Sequence, residues 1–269
     1  MAFGPYYTEG LTYASRSTNM RFSCTRILLA ISILSLAHSV SAQTVDEVVE
    51  KSLAAQGGRA ALGKLTSRST TGNITVSTPG GDLPGTIEVL NQAPNKVRTL
   101  INLDLSAVGA GSLTVDQRFD GTTAYAMDSM RGDSEVTGGR LANLRNGAFP
   151  TPFLNYKDRG VQVALAGKEK LNDRDMYVLT FTPSTGPASR VWIDAETLLP
   201  AQSVQTVDSP ETGPVEQTTA FSDYRDVDGV KVPYKLTSTS SVQSFVVTVT
   251  KIEHNVKIDP ALFVKPAAK

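Results

Sequence analysis

The hydrophobic period of the chain changes near residue 67, and that change predicts its architecture. Residues 44–56, TVDEVVEKSLAAQ, carry Val45, Val48, Val49, Leu53 and Ala54 three and four positions apart, with Asp46, Glu47 and Glu50 beside them. This is the apolar stripe of an amphipathic helix. Thr44 and Glu47 have the spacing of a capping box. Gly57-Gly58 stops the helix, and Ala60 to Leu65 predicts a short second helical piece. Beyond Ser67 the period is two. Val97, Thr99, Ile101, Leu103 and Leu105 alternate with Arg98, Asn102 and Asp104, and Leu113, Val115 and Phe119 alternate with Asp116 and Arg118. Strands are predicted at 68–77, 85–92, 95–105, 112–119, 123–128, 161–167, 175–182, 189–194, 201–207, 215–224, 231–238 and 242–253. Turn residues separate them, among them Pro79-Gly80-Gly81, Asp120-Gly121, Asn172-Asp173 and Asp228-Gly229.

Turns recurring about every 8–12 residues imply an antiparallel meander, not βαβ units. A sheet of ten or more strands must curl or split. The fold class is therefore mainly β (α+β): a large curled antiparallel sheet or incomplete barrel wrapped over a few helices. One stretch interrupts the strands. Residues 139–155, GRLANLRNGAFPTPFLN, predict a short helix followed by an apolar loop, placed either as a plain crossover or as a cover over a concave surface. No linker or low-complexity tract divides residues 43–269, so one domain is expected there.

Composition sharpens this picture. Val and Thr together make up 50 of the 227 residues from 43 onward, a β-branched excess suited to pleated surfaces. Residues 1–42 read differently, as an upstream segment and a signal peptide at 20–42. Arg21 and Arg26 precede the apolar run Ile27–Ala37, and Val40-Ser41-Ala42 has the form of a cleavage site. The run is shorter than the roughly 20 residues a membrane helix needs. Cleavage before Gln43 removes Cys24 and His38. It also removes Arg16, Arg21, Arg26 and Glu9 from a balance of 26 basic and 26 acidic residues, leaving a net charge of −2. A near-neutral chain has no basic field to attract nucleic acid. The expected location is periplasmic, without a lipid anchor, because Cys24 precedes the apolar run instead of following it.

Little catalytic chemistry is legible. His254 is the one imidazole beyond residue 42 and reads as a surface residue at a strand end. There is no G-x-S-x-G and no H-E-x-x-H. GGRAALGK has the glycine spacing of a phosphate loop, but Leu65 stands at its hydroxyl position and a helix precedes it. Asp226-Val227-Asp228-Gly229 resembles the opening of a calcium loop, yet its twelfth position is Thr237. A type I′ hairpin turn explains those residues, with weak cation binding by Asp223, Asp226 and Asp228 as the alternative. Arg131-Gly132-Asp133 matches an adhesion tripeptide and suits a polar loop. No catalytic residue, metal site or cofactor is expected.

Five pieces, in order, resemble the LolA/LolB-like superfamily of periplasmic lipoprotein carriers. They are the N-terminal amphipathic helix leading into Ser67-Arg68, the corner Gln92-Ala93-Pro94-Asn95-Lys96-Val97-Arg98, the hairpin Phe119-Asp120-Gly121-Thr122-Thr123-Ala124-Tyr125, the segment Val191–Pro200, and the closing pieces Phe221–Tyr224 and Val256–Phe263. The resemblance implies an incomplete barrel over helices, enclosing an apolar cavity that shields acyl chains without covalent chemistry. The carriers place an Arg before the corner proline. Ala93 stands there, which makes Arg98 the candidate gating residue. Gln43 occupies the place where the lipid-anchored branch has Cys, in keeping with a soluble member.

Alternation selects Ile87, Val89, Val97, Ile101, Leu103, Val115 and Phe119 as the cavity-facing set, with Leu144, Phe149 and Phe153 as its cover. The expected partner is a lipid or a lipoprotein acyl chain, with envelope proteins as further partners. A scaffold domain of the same fold is the alternative reading, and a hydrolase the third.

Overall fold

The computed structural model describes residues 43–209 and 212–266. The expected signal at 20–42, with Cys24 and His38, lies outside the described residues. The first element, α1 (Val45–Ala55), begins with the expected cap. The Glu47 N–H donates to Thr44 Oγ1 at 3.2 Å, and Glu47 Oε2 accepts from the Thr44 N–H at 3.1 Å. Val48, Val49 and Leu53 form its buried stripe. Replacing Thr44 with Ala removes the cap acceptor and is expected to destabilise the protein by about 0.5–2 kcal/mol. Urea denaturation checks this, with Thr44→Ser expected to stay close to the parent. The second helix, α2, is shorter than the expected 60–65: it spans Arg59–Leu62 and buries Leu62. Gly63 ends it, and Lys64 and Leu65 close a turn onto Ala61 and Leu62.

The strands are β1 (Ser67–Thr78), β2 (Gly81–Gln92), β3 (Lys96–Asp104), β4 (Ser112–Phe119), β5 (Ala124–Asp128) and β6 (Gly132–Val136). After α3 (Gly138–Asn146) come β7 (Gln162–Leu171), β8 (Arg174–Thr182), β9 (Ser189–Asp194) and β10 (Pro200–Ser209). The last three are β11 (Gly213–Val227), β12 (Val230–Ser240) and β13 (Ser244–His254). Together they form one antiparallel sheet of 13 strands in the order β6-β5-β4-β3-β2-β1-β13-β12-β11-β10-β9-β8-β7. Two meanders thus join through the β1–β13 pair, and the sheet does not close. The strand β6 was not expected, and it corrects the placing of Arg131-Gly132-Asp133 in a loop: Gly132 and Asp133 begin this edge strand. Its first four residues are exposed and only Val136 is buried, so no alternation marks it.

One core shows how the sheet bends. Val48, Val49 and Leu53 of α1 and Leu62 of α2 share a continuous cluster with Ile74, Leu103, Leu179, Ile193, Val232 and Val249. Residues from both meanders therefore share one core with the two helices, which requires the sheet to curl around it. The curl also explains α3. β6 and β7 are consecutive in the chain but lie at opposite edges, so residues 137–161 must cross from one edge to the other. Midway, Leu141 and Leu144 pack on Phe119, Ala124, Ala126 and Val136. On its other side Asn143 Nδ2 donates to the Thr206 carbonyl of β10 at 2.7 Å. α3 therefore ties the β4–β6 edge to the second meander.

Close backbone approach sets one docking point. Gly57 has φ +122°, and a Cβ there would lie 2.3 Å from the Gly229 carbonyl oxygen. Only glycine both adopts this conformation and lets the end of α1 reach the β11–β12 hairpin, where the Lys231 N–H donates to the Gln56 carbonyl at 3.0 Å.

Candidate functional site

Between the helices, the second meander and the crossing segment lies a cavity of about 400 Å³, within the roughly 300–1,000 Å³ range of small-molecule sites. Phe181, Val191, Ser203, Phe221 and Val232 line it from β8, β9, β10, β11 and β12. Gln56 and Leu62 line it from the helical end, and Phe153 and Arg159 from the crossing segment. That segment is firmly tied. The Phe149 N–H donates to the Pro94 carbonyl at 3.0 Å, which fixes it to the β2–β3 corner. Phe153 is 1% exposed and meets Phe181 edge to face at 5.5 Å between ring centroids. Tyr156 Oη donates to Asp46 Oδ1 at 2.8 Å, joining the segment to α1.

Of the ten apolar residues expected at the site, Phe153 lines this cavity. Phe149 is buried and lies between the lining residues Ala148 and Pro150. Leu144 packs on the α3 side, together with Val97 and Phe119. Ile87 and Ile101 are half-buried against the main core and Leu103 is buried within it. Val89 and Val115 are half-buried. The register does bring Ile87, Ile101 and Val115 side by side across β2, β3 and β4. Those three strands contribute nothing to the lining of this cavity, which the second meander supplies.

Arg98 occupies the sheet face opposite Val97 and Ile101. Its Nε and one terminal nitrogen donate to the two Asp116 oxygens at 2.8 and 2.9 Å. Arg118 donates to the same carboxylate at 2.8 Å and, through its other terminal nitrogen, to the carbonyls of Ala261 and Val264. Burial works to raise the Asp116 pKa, but the two guanidiniums outweigh it and hold the carboxyl below its usual range. This network fastens the C-terminal tail to the outside of β4.

Two arginines on the cavity side went unpredicted. Arg68, the second residue of β1, is half-buried at the cavity wall, with its guanidinium carbon 5.2 Å from the Phe149 ring centroid. Burial alone pushes its pKa down to about 10, so it stays charged at neutral pH. Arg159 donates to the carbonyls of Asn146 and Pro152 at 3.2 and 3.1 Å, while its buried Nε has no partner among the described residues. The available signal was phase: Arg68 falls on the inward alternation of Ile74 and Val76. Arg159 sits in an irregular turn, where no period operates.

His254 corrects the expectation of a surface residue. It pairs across the sheet with Arg68, and its side chain is 1% exposed. Nδ1 lies 3.3 Å from Asp228 Oδ2, and Nε2 is buried without a partner among the described residues. Burial and the nearby Arg68 charge push its pKa down against the opposing pull of Asp228, which favours a neutral ring. The Asp228-Gly229 turn beside it has positive φ at both residues, as a type I′ hairpin requires. Among the described residues no group of three or more His, Cys, Asp or Glu could hold a metal ion.

No protein-family model and no curated protein matches the sequence. Solved structures do match. The chain superposes on a LolA superfamily protein of Nitrosomonas europaea with a TM-score of 0.53 and 14% identity, covering 83% of this chain and 99% of that one. A DUF1329 family protein of Desulfovibrio piger gives a TM-score of 0.51 and 15% identity, covering 83% and 98%. At such identities the likeness is one of fold, and this chain shares the fold of those two proteins.

Proposed function

We propose that this chain is a non-catalytic envelope protein that holds the acyl chain of a lipid or lipoprotein in the cavity beneath its curled sheet. The observation that carries this reading is the cavity itself. It is a space of about 400 Å³ walled by Phe153, Phe181, Val191, Phe221 and Val232 inside a sheet that does not close. Each methylene moved from water into such surroundings gains roughly 0.8 kcal/mol, so a chain of several carbons binds without any covalent step. The signal read at 20–42 supplies the route to the periplasm, where such cargo needs shielding from water.

The test is direct. Protein purified from the envelope is expected to carry lipid detectable by mass spectrometry, and delipidated protein to bind a fluorescent fatty acid at one site. Absence of both lipid and probe binding would overturn the reading. A single stoichiometric protein partner recovered without lipid would replace it with the scaffold alternative.

A further inference from the structure

We infer that the cavity selects an amphiphile with an anionic headgroup, a carboxylate or a phosphate, seated on Arg68 and Arg159 while its chain lies along the apolar wall. This rests on the lipid-binding reading above and adds the class of ligand. The lining residues include the cations Arg68, Arg159 and Lys231 and no aspartate or glutamate. A half-buried cation without a counter-charge is an unusual state, because burial of a charge is normally compensated by pairing. The Arg68 guanidinium makes no hydrogen bond or ion pair among the described residues; it stacks on the Phe149 ring and faces His254 across the sheet. A guanidinium carries five N–H donors, and those of Arg68 are all uncommitted.

Several neighbouring donors are already engaged. Asn143 Nδ2 is bonded to the Thr206 carbonyl, Asn146 Nδ2 to the Thr185 carbonyl, and Gln56 Nε2 to Ser52. Six lining residues are prolines and have no N–H to offer. A ligand headgroup entering here thus meets unengaged donors on Arg68 and a second positive charge on Arg159. Planar guanidinium forks fit the oxygens of carboxylate and phosphate better than they fit a hydroxyl. The competing account is that Arg68 serves only to hold the crossing segment, through its stacking on Phe149.

Titration calorimetry on the delipidated protein with laurate, dodecyl phosphate, dodecanol and inorganic phosphate separates these accounts. Charge-assisted pairing is expected to make at least one of the two anionic amphiphiles bind about tenfold to a hundredfold tighter than dodecanol. The larger of the two margins identifies the headgroup. Arg68→Gln and Arg159→Gln are each expected to shrink that margin and to leave dodecanol affinity unchanged. Dodecanol binding as tightly as both anions overturns the inference and leaves the lipid-binding reading intact. Inorganic phosphate binding as tightly as dodecyl phosphate overturns it in favour of a plain anion site. If Arg68→Gln weakens laurate and dodecanol alike, Arg68 is a strut and the inference fails. If no amphiphile binds, the lipid-binding reading fails as well. Should either variant not fold, the four-ligand series on the parent protein still decides.

Discussion

Phe153→Ala is expected to lower the free energy of unfolding by about 3–5 kcal/mol, the usual cost of truncating a fully buried aromatic ring. Phe153 is 1% exposed and stacks edge-on against Phe181 of β8. It belongs to the same core as the buried residues of α1 and α2, so its loss opens a void beside a cavity that already exists. Arg159 ties the same segment by reaching back to the carbonyls of Pro152 and Asn146. The variant is therefore expected to loosen residues 147–161 and to weaken binding of a fluorescent fatty acid. Phe153→Leu keeps most of the volume and is expected to lose far less. Urea denaturation and hydrogen exchange over 147–161 check both. A loss below about 1 kcal/mol for the Ala variant would mean that Phe153 packs loosely, and that the crossing segment is held by its ends alone.

How much of this was readable from the chain depends on how local each signal is. Alternation found β3 and β4 to within a residue or so, because each strand has an apolar face against a core. The two-residue turns Asn172-Asp173 and Asp228-Gly229 were legible because few residues tolerate two successive positive φ angles. β6 was not legible. It pairs through its backbone with β5 while Gly132 to Glu135 face solvent. Edge strands of this kind leave no hydrophobic signature.

The site divides along the same line. Alternation speaks to which side of a strand faces inward, but not to which sector of the inner face is left unfilled. That depends on where α2 and the 147–161 crossing segment come to rest, and they leave space against β8–β12, not against β2–β4. Phe153 was within reach because it lies on the crossing segment itself. Arg68 and His254 face each other across β1 and β13 although they are 186 positions apart in sequence. No local pattern brings such a pair together, and the burial of His254 followed only from that register.

Asp116→Ala is expected to cost about 3 kcal/mol, since it strips the shared carboxylate from two largely buried guanidiniums. The side chains of Asp116, Arg98 and Arg118 are 11%, 12% and 13% exposed, so water can replace only part of the lost pairing. Glu88, 3.6 Å from Arg98 and more exposed, offers Arg98 a weak substitute; Arg118 has only the Ala261 and Val264 carbonyls left. Faster hydrogen exchange in residues 261–264 is therefore expected to accompany the loss. The acid limb of the stability curve gives a second readout. Asp116 has a folded pKa below its unfolded value of about 3.9, so its contribution is fully present above that value. It disappears as pH falls through the depressed folded pKa. Asp116→Asn should therefore lower stability at neutral pH and flatten the decline of stability below about pH 4. A parent-like acid limb in Asp116→Asn would assign that decline to other carboxylates, whereas a flattened limb with a released tail identifies this network as the clasp that holds the C-terminus on the sheet.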